Sequence, residues 1–381
     1  MRFLSCLLAC ALNVSASAQD VNDNHGAAST AEVANQGVLD LSPAPLSATL
    51  DDLLALPPAL HAAFRAQVLD PHRAPGARID AMIDFVFGSA GLGVRYDEAA
   101  THTVTQTWQS RRANCIGFTL LLLALARDAG LSAQPQEIRR TLVWQQSGGT
   151  LYRSSHVNLR LQSGPQRYTV DVARGRVVTL DEPVPIDDRR LLAHYHNNIA
   201  VRQMAQGRTA EALTRAEATL RIDPDYPTHW ANAGVIRLRD GDADGAKQAY
   251  QRALALDADD YGALFNLVQL YDSRQDAAHA APLRKRLESL QRKDPLHQFL
   301  LGSRHERDRD FDGAIERYQL AIRYHRGEHR FHAALARAYL ANGDREQAIR
   351  SLSRAQSLSE GDDEAAYAAL LDDLRTFSPG G

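Results

Sequence analysis

Alanine stands at positions 212, 246, 280, 314 and 348, each 34 residues after the last. Gly207, Gly241 and Gly343 precede their alanines by five residues, and Tyr250 and Tyr318 follow theirs by four. A fixed period of this length marks one supersecondary unit stacked on copies of itself, because a single unit cannot bury its own apolar face. The small alanine lets two helices approach closely, the glycine supplies the turn between them, and the aromatic fills the hole beside the alanine. From about His194 to Gly361 the chain is therefore expected to fold as a stack of helix pairs, built to hold another molecule.

The pattern is clearest in Trp230, Gly234, Ala246, Tyr250 and Ala253, and it resembles the tetratricopeptide repeat. The resemblance implies an all-α superhelix of five repeats over residues 191–362 that binds a protein or peptide. The third unit departs from the pattern, with Pro282 early in its second helix and Gln275 where a glycine is expected, which predicts a bend there. Residues 363–381 read as a capping helix, Asp363 to Leu374, followed by a tail.

At the other end, Met1-Arg2, the apolar run Phe3 to Val14 and Ala16-Ser17-Ala18 follow the charged, apolar and small-residue order of a secretory signal peptide. This predicts removal of residues 1–18 and export to a bacterial periplasm. A lipid anchor on Cys10 is the lesser reading, since it leaves only about seven apolar residues before the cysteine. Residues 19–49 mix Asp, Asn, Gly, Ala, Ser and Pro without periodicity and read as a disordered linker. The leader is too short to span a bilayer and no later stretch is long enough, so no transmembrane segment is expected. With 43 basic and 46 acidic residues the chain shows no charge excess that would suit nucleic acid or an anionic membrane surface.

Between linker and array, residues 50–190 read as an α+β domain. Leu50 to Leu69 and Ile79 to Phe87 carry apolar residues at helical spacing, punctuated by Pro57-Pro58 and by Pro71 to Pro75. Arg112 to Gly130 is apolar on nearly every side and is expected to be the buried central helix, with Gly130 just past its end. The period then turns to alternation in Thr141 to Trp144, His156 to Leu161 and Tyr168 to Val172, with turns at Ser147-Gly148-Gly149 and Ser163-Gly164-Pro165. A buried helix followed by an antiparallel meander gives the α+β plan.

Export would remove Cys6 and Cys10 and leave Cys115 as the single thiol in a compartment where cysteines normally pair. Cys115 follows Asn114, a favoured capping residue, at the start of the buried helix, where the positive helix end favours a thiolate nucleophile. The strands offer a base and an orienting acceptor. Val157, Leu159 and Leu161 take the other face of the strand that carries His156, and Asp171 projects with Thr169 from the next. A turn centred between Ser163 and Gly164 would set His156 and Asp171 directly opposite, with Cβ atoms ~5 Å apart.

Arg111-Arg112-Ala113-Asn114-Cys115 before a leucine helix, Ser155-His156-Val157-Asn158-Leu159 and Tyr168-Thr169-Val170-Asp171 resemble the core of the transglutaminase-like superfamily over about residues 80 to 175. The resemblance implies a papain-like fold and thiol acyl transfer by a triad of Cys115, His156 and Asp171, with no cofactor. The backbone N–H of Cys115 would be one oxyanion donor, and Tyr96, Trp108 or Gln109 the other.

Other residues invite chemistry of their own. His194 and His196 are two apart on a helix and do not share a face, and Gly327 breaks the turn among His325, His329 and His332, so neither group is taken as a metal site. Asn197 and Asn198 read as polar positions between helices. Lysine occurs only at 247, 285 and 293, which fits a coding bias toward arginine better than a cross-linker sparing itself. The leading expectation is an exported cysteine peptidase or amidase with a repeat array for protein or peptide binding. The alternatives are a non-catalytic envelope scaffold acting through the repeats and a protein-cross-linking transamidase. No motif indicates an oligomeric state.

Overall fold

A computed structural model of the chain describes residues 41–376 apart from 140–144, 148–149, 153–155 and 173–181. The leader at 1–18, the linker as far as residue 40, the strand expected at Thr141 to Trp144 and the glycines of the Ser147 turn lie outside the described residues. The chain divides into two compact units, Gln36–Glu288 and Ser289–Gly381.

The first unit opens with helices α1 (Leu50–Leu54), α2 (Pro58–Phe64, extended by a π-helical turn at Arg65–Leu69) and α3 (Pro75–Phe87). Thr49 and Asp52 close a capping box on α1, and Pro58 and Pro75 occupy first-turn positions where no N–H is needed. Strand β1 (Arg95–Tyr96), α4 (Val104–Ser110), β2 (Arg112–Ala113) and α5 (Cys115–Asp128) follow. Every residue of α5 from Cys115 to Ala126 is buried, as its unbroken apolarity requires. Gly130 ends it at φ +67°, a conformation that a side chain would resist.

Six strands come next: β3 (Ser132–Ile138), β4 (Gln145–Ser147), β5 (Thr150–Tyr152), β6 (His156–Ser163), β7 (Gln166–Val170) and β8 (Val184–Pro185). They form an antiparallel sheet in the order β7-β6-β3-β8 and a separate β4-β5 hairpin. Val157, Leu159 and Leu161 are fully buried in the core around α5. The α+β expectation is met by this helix and sheet.

Three details differ from the sequence reading. The sheet starts at Ser132, not at Thr141, because Pro135 and the buried polar pair Gln136 and Glu137 disguise β3 as a loop. Val184 and Pro185, just ahead of the array, form the edge strand β8, a place that tolerates proline. The last nine residues assigned to the linker, Leu41 to Thr49, are held in place. The Ser42 carbonyl accepts from Gln106 at 2.6 Å, Ala44 donates to the Tyr195 hydroxyl at 3.2 Å, and Ala48 is buried.

The repeats continue the first unit as α6 (Asp188–Ala205), α7 (Thr209–Ile222), α8 (Pro227–Arg239), α9 (Ala243–Leu256), α10 (Tyr261–Ser273) and α11 (Ala277–Lys293), within which the division falls. The second unit carries α12 (Pro295–Arg307), α13 (Phe311–Tyr324), α14 (His329–Ala341), α15 (Arg345–Leu358) and the final α16 (Asp362–Thr376). Second helices begin at 209, 243, 277, 311 and 345, keeping the 34-residue period of the alanines, all five of which are fully buried. Tyr367, Leu371 and Leu374 bury the inner face of α16 as a cap should. Among the described residues no helix is long and apolar enough to cross a membrane.

The turn inside each repeat falls at 207, 241, 275, 309 and 343, and all five residues have positive φ. Gln275 and Arg309 adopt +57° and +60° although neither is glycine. The expected bend at the third unit is therefore not seen in the turn itself: stacking holds the left-handed conformation against a local cost of about 1–2 kcal/mol. Pro282 lies inside α11 without ending it.

Packing at the alanine position explains Gly234. A Cβ there would come within 2.4 Å of the Tyr250 ring, which is fully buried and cannot move aside. Gly234→Ala should lower the urea unfolding free energy by about 1–3 kcal/mol. Gln275→Gly, which relieves the turn, should raise it by about 0.5–1 kcal/mol.

Candidate thiol site and the repeat array

Asn114 fixes where α5 begins. Its backbone is extended, and its side-chain oxygen accepts from the N–H groups of Ile116 and Gly117, both at 3.1 Å. Its amide nitrogen donates to Thr101 Oγ1 at 2.8 Å, and its backbone N–H donates to the Ala100 carbonyl at 2.9 Å. The loop at residues 97–102 is thereby drawn over the helix start. A Cβ on Gly117 would meet Ala113 Cβ at 3.0 Å and the Ala100 and His102 carbonyls at 3.3 Å, so a side chain here would press against the loop that closes over the helix start. Cys115 follows the cap directly and is 6% exposed.

His156, the first residue of β6, is hydrogen-bonded to Cys115 on one side. On the other its Nε2 donates to Asp171 at 2.8 and 2.9 Å. The three side chains singled out in the sequence are thus in one hydrogen-bonded row. Burial alone would push the imidazole down, but hydrogen bonds to Asp171 and Cys115, with the charges of both, outweigh it and hold His156 up at about 10. With Nε2 committed to the carboxylate, Nδ1 is the ring nitrogen left to exchange a proton with the thiol.

The register differs from the sequence expectation. Ser163 pairs with Gln166, so the turn residues are Gly164 and Pro165 and its centre lies one position further on. Gly164 has φ +58° and Pro165 has its φ fixed by the ring, which suits a two-residue hairpin loop. Extending that register past Val170 sets Asp171 opposite Asn158 and diagonal to His156. The two-residue offset preserves the face, and the long imidazole reaches across. Asn158 donates its amide to Asp171 Oδ2 at 3.1 Å. Sequence reasoning missed this residue, although its place two positions after His156 on an alternating strand was the available signal.

The oxyanion candidates separate. Parallel pairing of β1 with β2 sets Tyr96 beside Ala113, two residues before the thiol. Trp108 and Gln109 sit on α4, where the Trp108 ring lies 3.9 Å beneath the Arg111 guanidinium.

The first repeat joins this part through a buried polar network. Glu137, fully buried on β3, accepts from His194 Nε2 at 3.0 Å and lies 3.6 Å from Arg190. Burial would raise its carboxyl, but His194, Arg190 and Arg139 hold it below the usual range. His194 Nδ1 meets His229 Nε2 at 3.2 Å, and Arg190 binds Asp223 at 2.7 Å. His196 points elsewhere, to Arg215 at 2.8 Å, where burial and that guanidinium push it down to about 4. Asn197 bonds Asn232 between helices, as expected of it. In the second unit His329 bonds Tyr367 at 3.0 Å and His332 approaches the Arg326 carbonyl at 3.3 Å, so these histidines serve separate partners.

Tetratricopeptide-repeat family models match residues 197–261 and 307–374. The array is built of tetratricopeptide repeats. The chain is 24% identical over 160 residues to TPR repeat-containing protein YpiA of Bacillus subtilis (strain 168), covering 42% of this chain and 38% of that one. It is 26% identical over 147 residues to photosystem I assembly protein Ycf3 of Prochlorococcus marinus (strain MIT 9313), covering 38% and 73%. With human tetratricopeptide repeat protein 34 it shares 35% identity over 88 residues, 23% of this chain and 15% of the relative. The chain therefore spans well under half of the length of YpiA and of protein 34. Among solved structures it is similar to YrrB, described as a TPR protein with an unusual peptide-binding site, at TM-score 0.25 and 19% identity over 47% of this chain and 91% of that one. MamA from Desulfovibrio magneticus RS-1 gives TM-score 0.25 and 20% identity over 44% and 94%. Repeats of this family bind proteins or peptides.

The raised His156 has a consequence for stability. A folded-state value near 10 against about 6.5 unfolded means the protonated ring stabilises the fold fully below about pH 6.5. That contribution fades as pH rises through 10. The stability advantage of the native chain over His156→Gln, measured by urea titration, should be largest near pH 6 and shrink steadily toward pH 10.

Proposed function

We propose that the chain is an exported scaffold that holds a protein or peptide in its repeats and adds to it a thiol acyl-transfer site of transglutaminase-like type. One observation carries the second half: His156 is shared between Cys115 and Asp171, with Asn158 steadying the carboxylate. A nucleophile at a helix start, a base in contact with it and an acceptor behind the base form the arrangement that acyl transfer needs.

In this reading the Cys115 thiolate, paired with the His156 imidazolium, attacks an amide carbonyl to give a tetrahedral oxyanion. The backbone N–H of Cys115 and a donor from the β1 side, Tyr96 being the residue set beside Ala113, receive that charge. His156 passes its proton to the leaving amine as the C–N bond breaks, which leaves a thioester on Cys115. Water then attacks the thioester with His156 taking its proton, releasing the acid and restoring the thiol. A second amine in place of the water would give transamidation. Asp171 keeps the ring oriented throughout. The repeats alone support the simpler scaffold reading, in which the thiol does not turn over, and the leader at residues 1–18 would send either form to the periplasm.

Rapid iodoacetamide alkylation of Cys115 at pH 5.5 is expected in the native chain, with a drop of about a hundredfold in His156→Ala. Slow modification that is indifferent to the histidine would leave the scaffold reading alone standing. If the thiol is reactive, release of acid against incorporation of a labelled amine from one acyl donor separates hydrolysis from transamidation.

A further inference from the structure

Residue 202 departs from the repeat pattern. At the same place in the second and third repeats, one and two periods further on, stand Ile236 and Leu270, both buried in the core of the array. The first repeat puts a half-buried arginine there. A guanidinium at an apolar position gives up hydration, and that exchange is favourable only where it finds a polar partner of its own. The partner is the Ala99 carbonyl.

Ala99 belongs to the loop at residues 97–102 that covers the start of α5. Its carbonyl also accepts from the Thr101 N–H at 3.2 Å. Thr101 Oγ1 and the Ala100 carbonyl receive the side-chain and backbone donors of Asn114, at 2.8 and 2.9 Å. The Asn114 side-chain oxygen in turn receives the N–H groups of Ile116 and Gly117, so Cys115 lies within a continuous set of hydrogen bonds whose far end is Arg202. The ends of the loop are anchored separately: the Asp97 N–H donates to the Ala113 carbonyl at 3.0 Å, and His102 Nδ1 bonds the Arg112 carbonyl at 3.1 Å. Between those ends Arg202 holds the loop from the side of the array.

We propose that Arg202 is a positioning residue for the thiol site: through the Ala99 carbonyl it holds Ala100 and Thr101 against Asn114, and so sets the helix start from which Cys115 projects. The first repeat is then a working part of the thiol site. As far as the reactivity of the thiol is concerned the inference rests on the acyl-transfer reading, whereas the hold on the cap is independent of it.

The test uses Arg202→Leu in the full chain, since Leu270 shows that a repeat accepts leucine at this place. Arg208→Leu is the control, an exposed arginine of the same repeat that bonds Glu211 and Gln206 instead of the loop. Without the guanidinium the cap loosens, and hydrogen exchange of the Ile116 and Gly117 amides should speed by about fivefold while the amides of Val157 to Leu161 keep their rates. Iodoacetamide alkylation of Cys115 at pH 5.5 should slow by about threefold to fivefold, because N–H groups no longer held at the helix start stabilise a thiolate less. At pH 9, where a thiol ionises without help, native and variant chains should react alike. A change that merely loosened the fold would speed alkylation at both pH values, and that result overturns the proposal. So does unchanged exchange at Ile116 and Gly117, unchanged alkylation of a reactive thiol at pH 5.5, or an equal effect of Arg208→Leu. If the native thiol is slow and indifferent to His156, the acyl-transfer reading has failed, and the amide exchange alone decides the role of Arg202.

Discussion

A helix that is apolar on every side can be buried only if its polar end is satisfied from within the protein. In α5 that end is the run Asn114 to Gly117, and the Asn114 side chain takes up two of the exposed N–H groups while Thr101 and Ala100 hold Asn114 itself. A cap of this kind is worth about 1 kcal/mol on an exposed helix, and leaving the same N–H groups bare in a core would cost more. The cap thus decides where the helix starts, and with it where the Cys115 side chain emerges. The small Gly117, the closed loop at residues 97–102 and the parallel pairing of Tyr96 beside Ala113 all follow from that choice.

Glu137 imposes the second constraint. A carboxylate with no exposure is tolerable only when cations and donors surround it, and removing one partner of such a group costs about 3–5 kcal/mol. Two of its partners, Arg190 and His194, come from α6. This helix starts at Asp188, five residues ahead of the place the repeat period assigns to a first helix, and the added residues include Arg190. The extension ties the first repeat to the sheet: the buried charge on β3 cannot be separated from α6.

The repeats were legible because their signal is arithmetic. Position 34 residues on is the same place in the fold, so Ala212 to Ala348 could be aligned by counting, and the helix starts keep that count. The same logic made the turn positions visible, but it misjudged Gln275, since sequence carries the local preference for glycine and not the stacking energy that overrides it. Cys115 was legible because Asn before a long apolar run is a local cap signal. The pairing of His156 with Asp171 was read correctly as a shared face and incorrectly as a direct pair. The deciding detail was which two residues make the turn, and Gly164-Pro165 satisfies the backbone demands better than Ser163-Gly164. β3 and the Glu137 network stayed hidden for one reason. Buried polar residues reverse the usual link between polarity and exposure, and their partners lie tens of residues away in the chain.

Contacts at several points make α6 the common member of the thiol part and the array. Arg190 and His194 hold β3, the Tyr195 hydroxyl holds the segment before α1, and Arg202 donates to the Ala99 carbonyl next to the residue that bonds Asn114. A flexible linker would have left the orientation of the first repeat to chance, and each of these groups would then have needed water in place of a protein partner. Spread along the helix from Arg190 to Arg202, the contacts fix both its direction and its rotation. The first helix of the array is thereby held in a set geometry relative to β3 and to the loop that covers the start of α5.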